Sequence, residues 1–358
     1  MGRVRLPLAA ALVLIAAGGC IFPLRDAVLA RSQALQEITT TGAIHAAASH
    51  SGDELGTEAA PFASAVGAID LAERLIADGV AESLVVRLAA GTYRPEEALR
   101  VPRGVSIRGG YTFPGWHYDR HGSLPTITSA ARCVVEFAEG CTPATVLEDV
   151  YLVAEANDEA RGIECDRASP TIRRTRVDVR TARESGIGLL LVSSEAVLDS
   201  NVVLFGSTSG SAWGIALVGA SCEITNTVIS SLGGTGPNIG VHATDGSALR
   251  AANDTVYLPG SAGDSALFLS ASSARVENTI LAADSDARGI HEHDGEVVVS
   301  ALANNEFFGT AAPLYRTHDG TSLTSVVDLE SYLGTGASGN DAGTGPDFVD
   351  PAADDFHP

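Results

Sequence analysis

Lysine does not occur in this chain; all 23 basic residues are arginine. Schiff-base chemistry and a lysine general base are therefore excluded. Long apolar runs are also missing: beyond residues 6–17 no segment is long and apolar enough to cross a bilayer as a helix. Positive charge is scarce as well. Aspartate and glutamate total 44 against 23 arginines, a net charge of −21. Such a surface repels nucleic acid, gains nothing from anionic lipid, and meets a polyanion only through a cation or a local basic patch.

The first twenty residues, MGRVRLPLAAALVLIAAGGC, place Arg3 and Arg5 ahead of the apolar stretch Leu6–Ala17, the layout of an export signal. Ala17-Gly18-Gly19-Cys20 resembles the lipobox of bacterial lipoproteins, although Leu is usual where Ala17 stands. The resemblance implies that Cys20 is lipidated and becomes the new N-terminus, anchoring an exported body of net charge −23. Ordinary signal-peptide cleavage is the alternative. Ile21 after the cysteine, rather than Asp, favours the outer membrane or cell surface in a host with two membranes. Residues 1–20 are thus the expected signal and 21–58 a tether, within which LRDAVLARSQALQEI reads as a short helix. Export permits disulfides, and Cys133 and Cys141 are close enough in sequence to pair across a turn. Cys165 and Cys222 sit where other repeats carry Leu or small residues, so they read as buried thiols.

What the chain does have is a period. Ile163, Leu189, Ile215, Val241 and Leu267 are spaced by 26, and Ile290 follows after 23. A second row, Ile172, Leu198, Ile224 and Val276, keeps the same period, with Leu249 one place early and an apparent insertion before Thr255. SCEITNTVI at 221–229 and SARVENTIL at 273–281 match because they lie two periods apart. Each unit holds two or three short alternating segments separated by Gly, Ser, Asn and Asp, with no helical stretch between. Parallel strands need a crossover, and one turn of a coil supplies it. The fold class expected is all-β: a right-handed parallel β-helix of about nine or ten coils over residues 59–332. Leucine-rich repeats have a shorter period, and a β-sandwich has no strict one. Asn226 and Asn278 suit an inward amide ladder, with Asn201 and Asn253 offset by one.

A solenoid must cover its ends. APFASAVGAIDLAERLIADG has helical spacing at Ala65, Ile69, Ala72 and Ile76 and stops at Gly79. SLVVRLAAGTY, ALRVPRGVSIRGGYTFPGW and HYDRHGSLPTITS follow. In WHYDRH, His117 and His121 belong to this capping loop, where packing of Trp116 is the expected role. That order, with the Phe-Val-Asp-Pro turn and Asp-Phe-His of the closing segment 333–358, resembles bacterial parallel β-helix proteins of the pectin-lyase-like superfamily over about residues 60–357. The resemblance implies the fold and leaves activity open, because this scaffold carries lyases, hydrolases, adhesins and non-enzymes. The Asn-Thr-Asp, Asp-Asp, Gly-His-Gly and Arg-Ile-Lys stretches shared by its hydrolases are missing from the repeat strands; Asp354-Asp355 lies in the tail.

If Ile163 and its equivalents point inward, the residues one and three places later point out. One outward row reads Glu164, Leu190, Ala216, His242, Phe268, His291, and the other Asp166, Val192, Val218, Thr244, Ser270, His293. The middle is apolar, which suits a covering loop or a shallow binding groove at His242 and Phe268. Glu164 and Asp166 stand about 6.6 Å apart by strand rise. That suits an acid–base pair or calcium ligands, with Arg161, Arg167, Arg173, Arg174, Arg176, Arg180 and Arg183 near in sequence. Arg174 and Arg176 are the candidates beside a catalytic pair, and Arg161 and Arg180 beside a bound acidic sugar. Ion pairing between coils is the plain alternative, Glu148 lying one repeat before Arg174. His291 and His293 share a face, as two zinc ligands would. The expected function is a lipid-anchored, non-catalytic scaffold that binds a polysaccharide or an envelope protein. The alternative is a lyase or glycoside hydrolase acting on an acidic polysaccharide, with Ca²⁺ as the cofactor if a lyase.

Overall fold

The computed structural model describes residues 22–343, apart from 156–157, 181, 208, 232, 234–235, 260–262, 284–286 and 310–312. Cys20 and the closing segment from 344 onward lie outside the described residues. The chain winds as a right-handed parallel β-helix with three sheets, here A, B and C, of 11, 10 and 10 strands. A typical coil runs Thr171–Arg173 in A, Arg176–Val179 in B and Ser185–Val192 in C, then re-enters A at Glu195–Asp199. Among the described residues every strand ladder is parallel except that of the last strands of C, Tyr315–Arg316 and Ser322–Leu323, and one isolated antiparallel bridge joins Tyr111 to Tyr118.

Both apolar rows stack in register. Ile163, Leu189, Ile215, Val241, Leu267 and Ile290 form one column on the inside of sheet C. The column in sheet A is Ile172, Leu198, Ile224, Ala251, Val276 and Leu302. Ala251, not Leu249, therefore fills the row; Leu249 pairs with Cys222. The extra residue lies earlier than the sequence suggested, in the turn between Thr244 and Ala248 that contains Gly246 at φ 80°. These columns are closed to water, and each fully buried aliphatic side chain contributes roughly 1.5–3 kcal/mol.

Two corners of each coil are tight. Between A and B one residue adopts the left-handed conformation: Asp149, Arg174, Ser200, Asn226, Asn253, Asn278 and Asn304, at φ 47–58°. Between C and A the same role falls to Arg167, Ser193, Gly219, Asp245 and Ala271. The short polar side chains are the residues that tolerate this region, whereas Arg and Ala carry a cost of roughly 1–2 kcal/mol. The inward ladder is consequently not the one expected from Asn226 and Asn278, which are committed to the corner. It is formed one place later by Thr175, Asn201, Thr227, Asp254, Thr279, Asn305 and Asn340. Each backbone N–H of Thr175, Thr227 and Thr279 donates to the ladder side chain of the next coil.

At the start of sheet C a column of Gly162, Gly188, Gly214, Gly240 and Gly289 turns inward. A Cβ on Gly188 would stand 2.3 Å from Val203 Cγ1 and 2.4 Å from the carbonyl of Gly214. The missing side chains let sheets B and C close on each other there.

The N-terminal cap differs from the tether expected for residues 21–58. Helix α1 (Phe22–Thr41) buries Ala34 and Ile38, Gly42 ends it at φ 65°, and Ala43–Ala46 then forms the first strand of sheet A. Its partner is Leu84–Ala89. The segment escaped the periodicity because the first coil is interrupted by helix α2 (Ala65–Ala77), capped by Ser64 and buried along Ala65, Ala68, Ile69, Ala72 and Leu75. Half-buried Ile76, placed on that face by its spacing, sits at the rim beside Leu75. At the far end helix α3 (Val326–Leu333) precedes short additions to A and B at Ala337–Ser338 and Asp341–Gly343.

Candidate functional site

The fold distributes the predicted arginines over three faces rather than around Glu164 and Asp166. Those two carboxylates do share the outer side of sheet C, with Cys165 between them turned inward. Glu164 is held by Arg161 at 2.7 Å, and Asp166, at the exposed end of the strand, lies 3.6 Å from Arg167. Arg173 faces out from sheet A, Arg174 occupies the A–B corner, Arg176 belongs to sheet B, and Arg180 lies in the turn just after that strand. Arg176 lies over the Tyr151 ring, 5.2 Å from its centroid, and Arg180 donates to Asp178 at 2.8 Å. A corner two residues long is enough to separate neighbours in sequence onto different sheets.

Arg174 instead completes a buried ion network beneath the capping loop. Glu148, 2% exposed, accepts from Arg108, Arg173 and Arg174. Asp149, 1% exposed, takes Arg174 at 2.8 and 2.9 Å and the Tyr118 hydroxyl at 2.9 Å. Burial alone would raise the Glu148 carboxyl, but hydrogen bonds from Arg173 and Arg108 outweigh it and hold the group below its ordinary range. Tyr118 and Trp116 pin the loop: Trp116 donates to the Glu58 carbonyl at 2.9 Å and packs edge-on to His45. This network joins cap to coil.

The four described cysteines make no disulfide. Cys133, Cys141, Cys165 and Cys222 are all free and buried. The expected pair is kept apart by the extended strand Cys133–Phe137 between its members, since the four steps along that strand span roughly 13 Å, beyond the reach of a disulfide. Cys133 Sγ lies 3.0 Å from the Val135 carbonyl and Cys141 Sγ 3.7 Å from that of Val101.

The outer face of sheet C has a different character along its length. Register sets Arg100, Glu136, Glu164, Leu190, Ala216, His242, Phe268, His291 and Arg316 in a single row. A flanking row holds Arg161, Ile187, Trp213, Ile239, Ser265 and Arg288. Between the charged ends the face is apolar, and its aromatic rings form a continuous series. Trp213 and His242 stack with centroids 4.9 Å apart and planes 7° from parallel. His242 stacks on Phe268 at 5.0 Å, and Phe268 meets His291 and His293 at 5.0 and 5.2 Å. Trp213, Arg288 and Arg316 were not selected from the sequence, although the row two places before each inward residue, read at the same period, contains Trp213.

Burial, aided by His293, lowers the His242 imidazole, and burial with the charges of Arg288 and Arg316 pushes His291 down to about 4. Both rings are therefore neutral at pH 7, each offering one donor and one acceptor. His291 and His293 lie 6.2 Å apart between centroids, packed against Phe268. Among the described residues no third ligating side chain joins them, and no group of three or more His, Cys, Asp or Glu is arranged to hold a metal.

No protein-family model and no curated protein matches the chain. Among solved structures it is similar to the A-module of mannuronan C-5 epimerase AlgE4 of Azotobacter vinelandii (TM-score 0.38, 14% identity, 84% of this chain and 96% of that one). The A-module of the same organism's AlgE6 scores 0.29 at 15% identity over 78% and 94% of the two chains. The tailspike protein of Acinetobacter phage vB_ApiP_P1 scores 0.33 at 13% identity, over 86% of this chain and 59% of that one. Similarity this distant transfers no site residue.

Proposed function

We propose that this is an exported β-helix protein, lipid-anchored through Cys20, that binds a polysaccharide along the outer face of sheet C without turning it over. The observation that carries the reading is the aromatic series Trp213, His242, Phe268, His291 and His293 on an otherwise apolar face. Sugar rings present an apolar C–H surface edged by hydroxyls. Aromatic side chains match the first, and neutral imidazoles, which donate and accept, match the second. The catalytic alternative at Glu164 and Asp166 loses support because Arg174, Arg176 and Arg180 are engaged on other faces.

The test is binding of the full chain to a panel of neutral and uronate polysaccharides, with and without calcium, while new reducing ends and unsaturated products are recorded. Binding without product, weakened in Trp213→Ala, supports the reading. Product formation abolished in Glu164→Ala would replace it with an enzyme, and silence throughout would point to an envelope protein as partner. Anchoring is tested separately: Cys20→Ser should release the protein from the membrane fraction, and an unchanged distribution would remove the lipid anchor.

A further inference from the structure

The C-terminal end of the same face holds two arginines, Arg288 and Arg316, with no ion-paired carboxylate among the described residues. Arg288 lies on the outer side of the strand Arg288–Glu292, as does His291. Arg316 is directly across from His291 in register, one strand spacing away, about 4.8 Å. Both arginines are half-buried, and among the described residues neither has a salt bridge. Elsewhere in the molecule half-buried arginines hold carboxylates, as Arg108, Arg161, Arg173, Arg174 and Arg180 do.

Three described acids nearby, Asp264, Asp294 and Glu292, accept from other donors. Asp264, whose field reaches Arg288, accepts the Asn238 N–H at 2.7 Å. Asp294 takes the Ser270 hydroxyl and the Ala271 N–H at 2.5 and 2.9 Å. Glu292 is buried and accepts from Tyr315 and, at 3.1 Å, from Tyr332, with His318 3.8 Å away. Burial and then the Arg316 charge hold the Arg288 guanidinium below its usual range. The same two arginines help to keep His291 neutral. In a chain with 44 acidic and 23 basic residues, a partly desolvated cationic pair with no ion-paired carboxylate among the described residues is exceptional.

We infer that Arg288, His291 and Arg316 form a subsite for an oxyanion, the carboxylate or sulfate ester of an acidic sugar, at the end of the aromatic series. The subsite rests on the glycan-binding reading for the identity of its carrier, though not for its chemistry. Guanidinium forks bind planar or tetrahedral oxyanions in bidentate fashion. The neutral His291 ring adds one hydrogen bond, and Phe268 beside it packs the sugar. A ligand extending along the row from this point would set its charged group on the arginines and its rings on Phe268, His242 and Trp213.

The experiment is calorimetric titration of the full chain with inorganic sulfate, free glucuronate, and a neutral and a uronate oligosaccharide of equal length. The proteins are wild type, Arg288→Gln/Arg316→Gln, and Arg250→Gln, which alters an exposed arginine on sheet A. The uronate oligosaccharide should bind at least roughly tenfold more tightly than the neutral one, with the preference lost in the double variant and retained in Arg250→Gln. A response to sulfate alone would identify the sulfate ester, and one to glucuronate the carboxylate. Equal binding of both oligosaccharides, with no response to sulfate or glucuronate, would overturn the subsite and leave the glycan reading intact. A free anion bound while neither oligosaccharide is bound would keep the subsite and remove the glycan reading. Should the double variant fail to fold, judged by circular dichroism, Arg316→Gln alone is read in the same way.

Discussion

Replacing Asp254 by asparagine should stabilise the protein, and by an amount that grows with pH. Asp254 occupies the inward ladder and is 3% exposed. Its Oδ1 accepts the Thr227 N–H at 2.8 Å, while Oδ2 is buried with no partner. The ladder asparagines show what belongs there: Nδ2 of Asn201, Asn305 and Asn340 donates to the carbonyls of Ile172, Val276 and Leu302 at 3.0, 2.9 and 2.8 Å. By register the matching acceptor for residue 254 is the Ile224 carbonyl. A carboxylate can only repel it, whereas a protonated acid or an amide can donate to it. Burial accordingly raises the Asp254 carboxyl from 3.8 to about 7. The folded state then binds more protons than the unfolded one between those values, so stability falls as pH rises from 4 to 7 and levels off above 7. At about 1.4 kcal/mol per pKa unit, the cost is about 2 kcal/mol at pH 5 and about 4 kcal/mol at pH 8. Urea unfolding of wild type and Asp254→Asn across that range measures it. A variant that gains stability equally at pH 5 and pH 8, or that loses stability throughout, would refute the assignment of a neutral acid to the ladder.

Three further outcomes follow from the packing. Glu148→Ala leaves Arg108, Arg173 and Arg174 crowded without their shared anion and should cost about 3–5 kcal/mol in urea unfolding; because Glu148 is held below its ordinary range, the wild type should lose this contribution as pH falls below about 4.5. Gly188→Ala should destabilise by about 1–3 kcal/mol, since its Cβ meets Val203 and a backbone carbonyl, whereas Ala266→Gly, in the one coil where Ala stands in that column, should be far milder. The native protein should resist thiol reagents, because all four described cysteines are buried and Cys133 is raised to about 12, and should label at Cys133, Cys141, Cys165 and Cys222 only after denaturation, with or without prior reduction.

The coils were legible in the sequence because parallel stacking puts equivalent side chains at equivalent positions. Leu189 must resemble Ile163 and Ile215, which it touches. Where that logic lapses, so did the reading. Asn is equally suited to a left-handed corner and to an inward ladder, so adjacent candidates such as Asn226 and Thr227 could be sorted only by backbone geometry. The strand Ala43–Ala46 pairs with Val85–Leu88, 42 residues on, a separation that the repeat of 26 does not contain. The arginines after residue 160 seemed close because they are close along the chain, yet within a coil a few residues carry the chain onto another sheet. Arg288 and Arg316 were hidden for the opposite reason. Spacings of 23 and 25 in the last coils break the period, and residues far apart in sequence meet on one face.

The coil-to-coil ladder also determines how the molecule would yield to force. Hydrogen bonds run parallel to the axis and each coil touches only its neighbours. Tension applied to the two ends therefore loads the terminal strands first and peels one coil at a time. Each release of a 26-residue coil would add roughly 90 Å of contour length, so the extension trace should be a sawtooth with regular teeth. The ion network around Glu148 and Asp149 would appear in such a trace as one tooth taller than the rest, marking the coils beneath the cap as the last to let go.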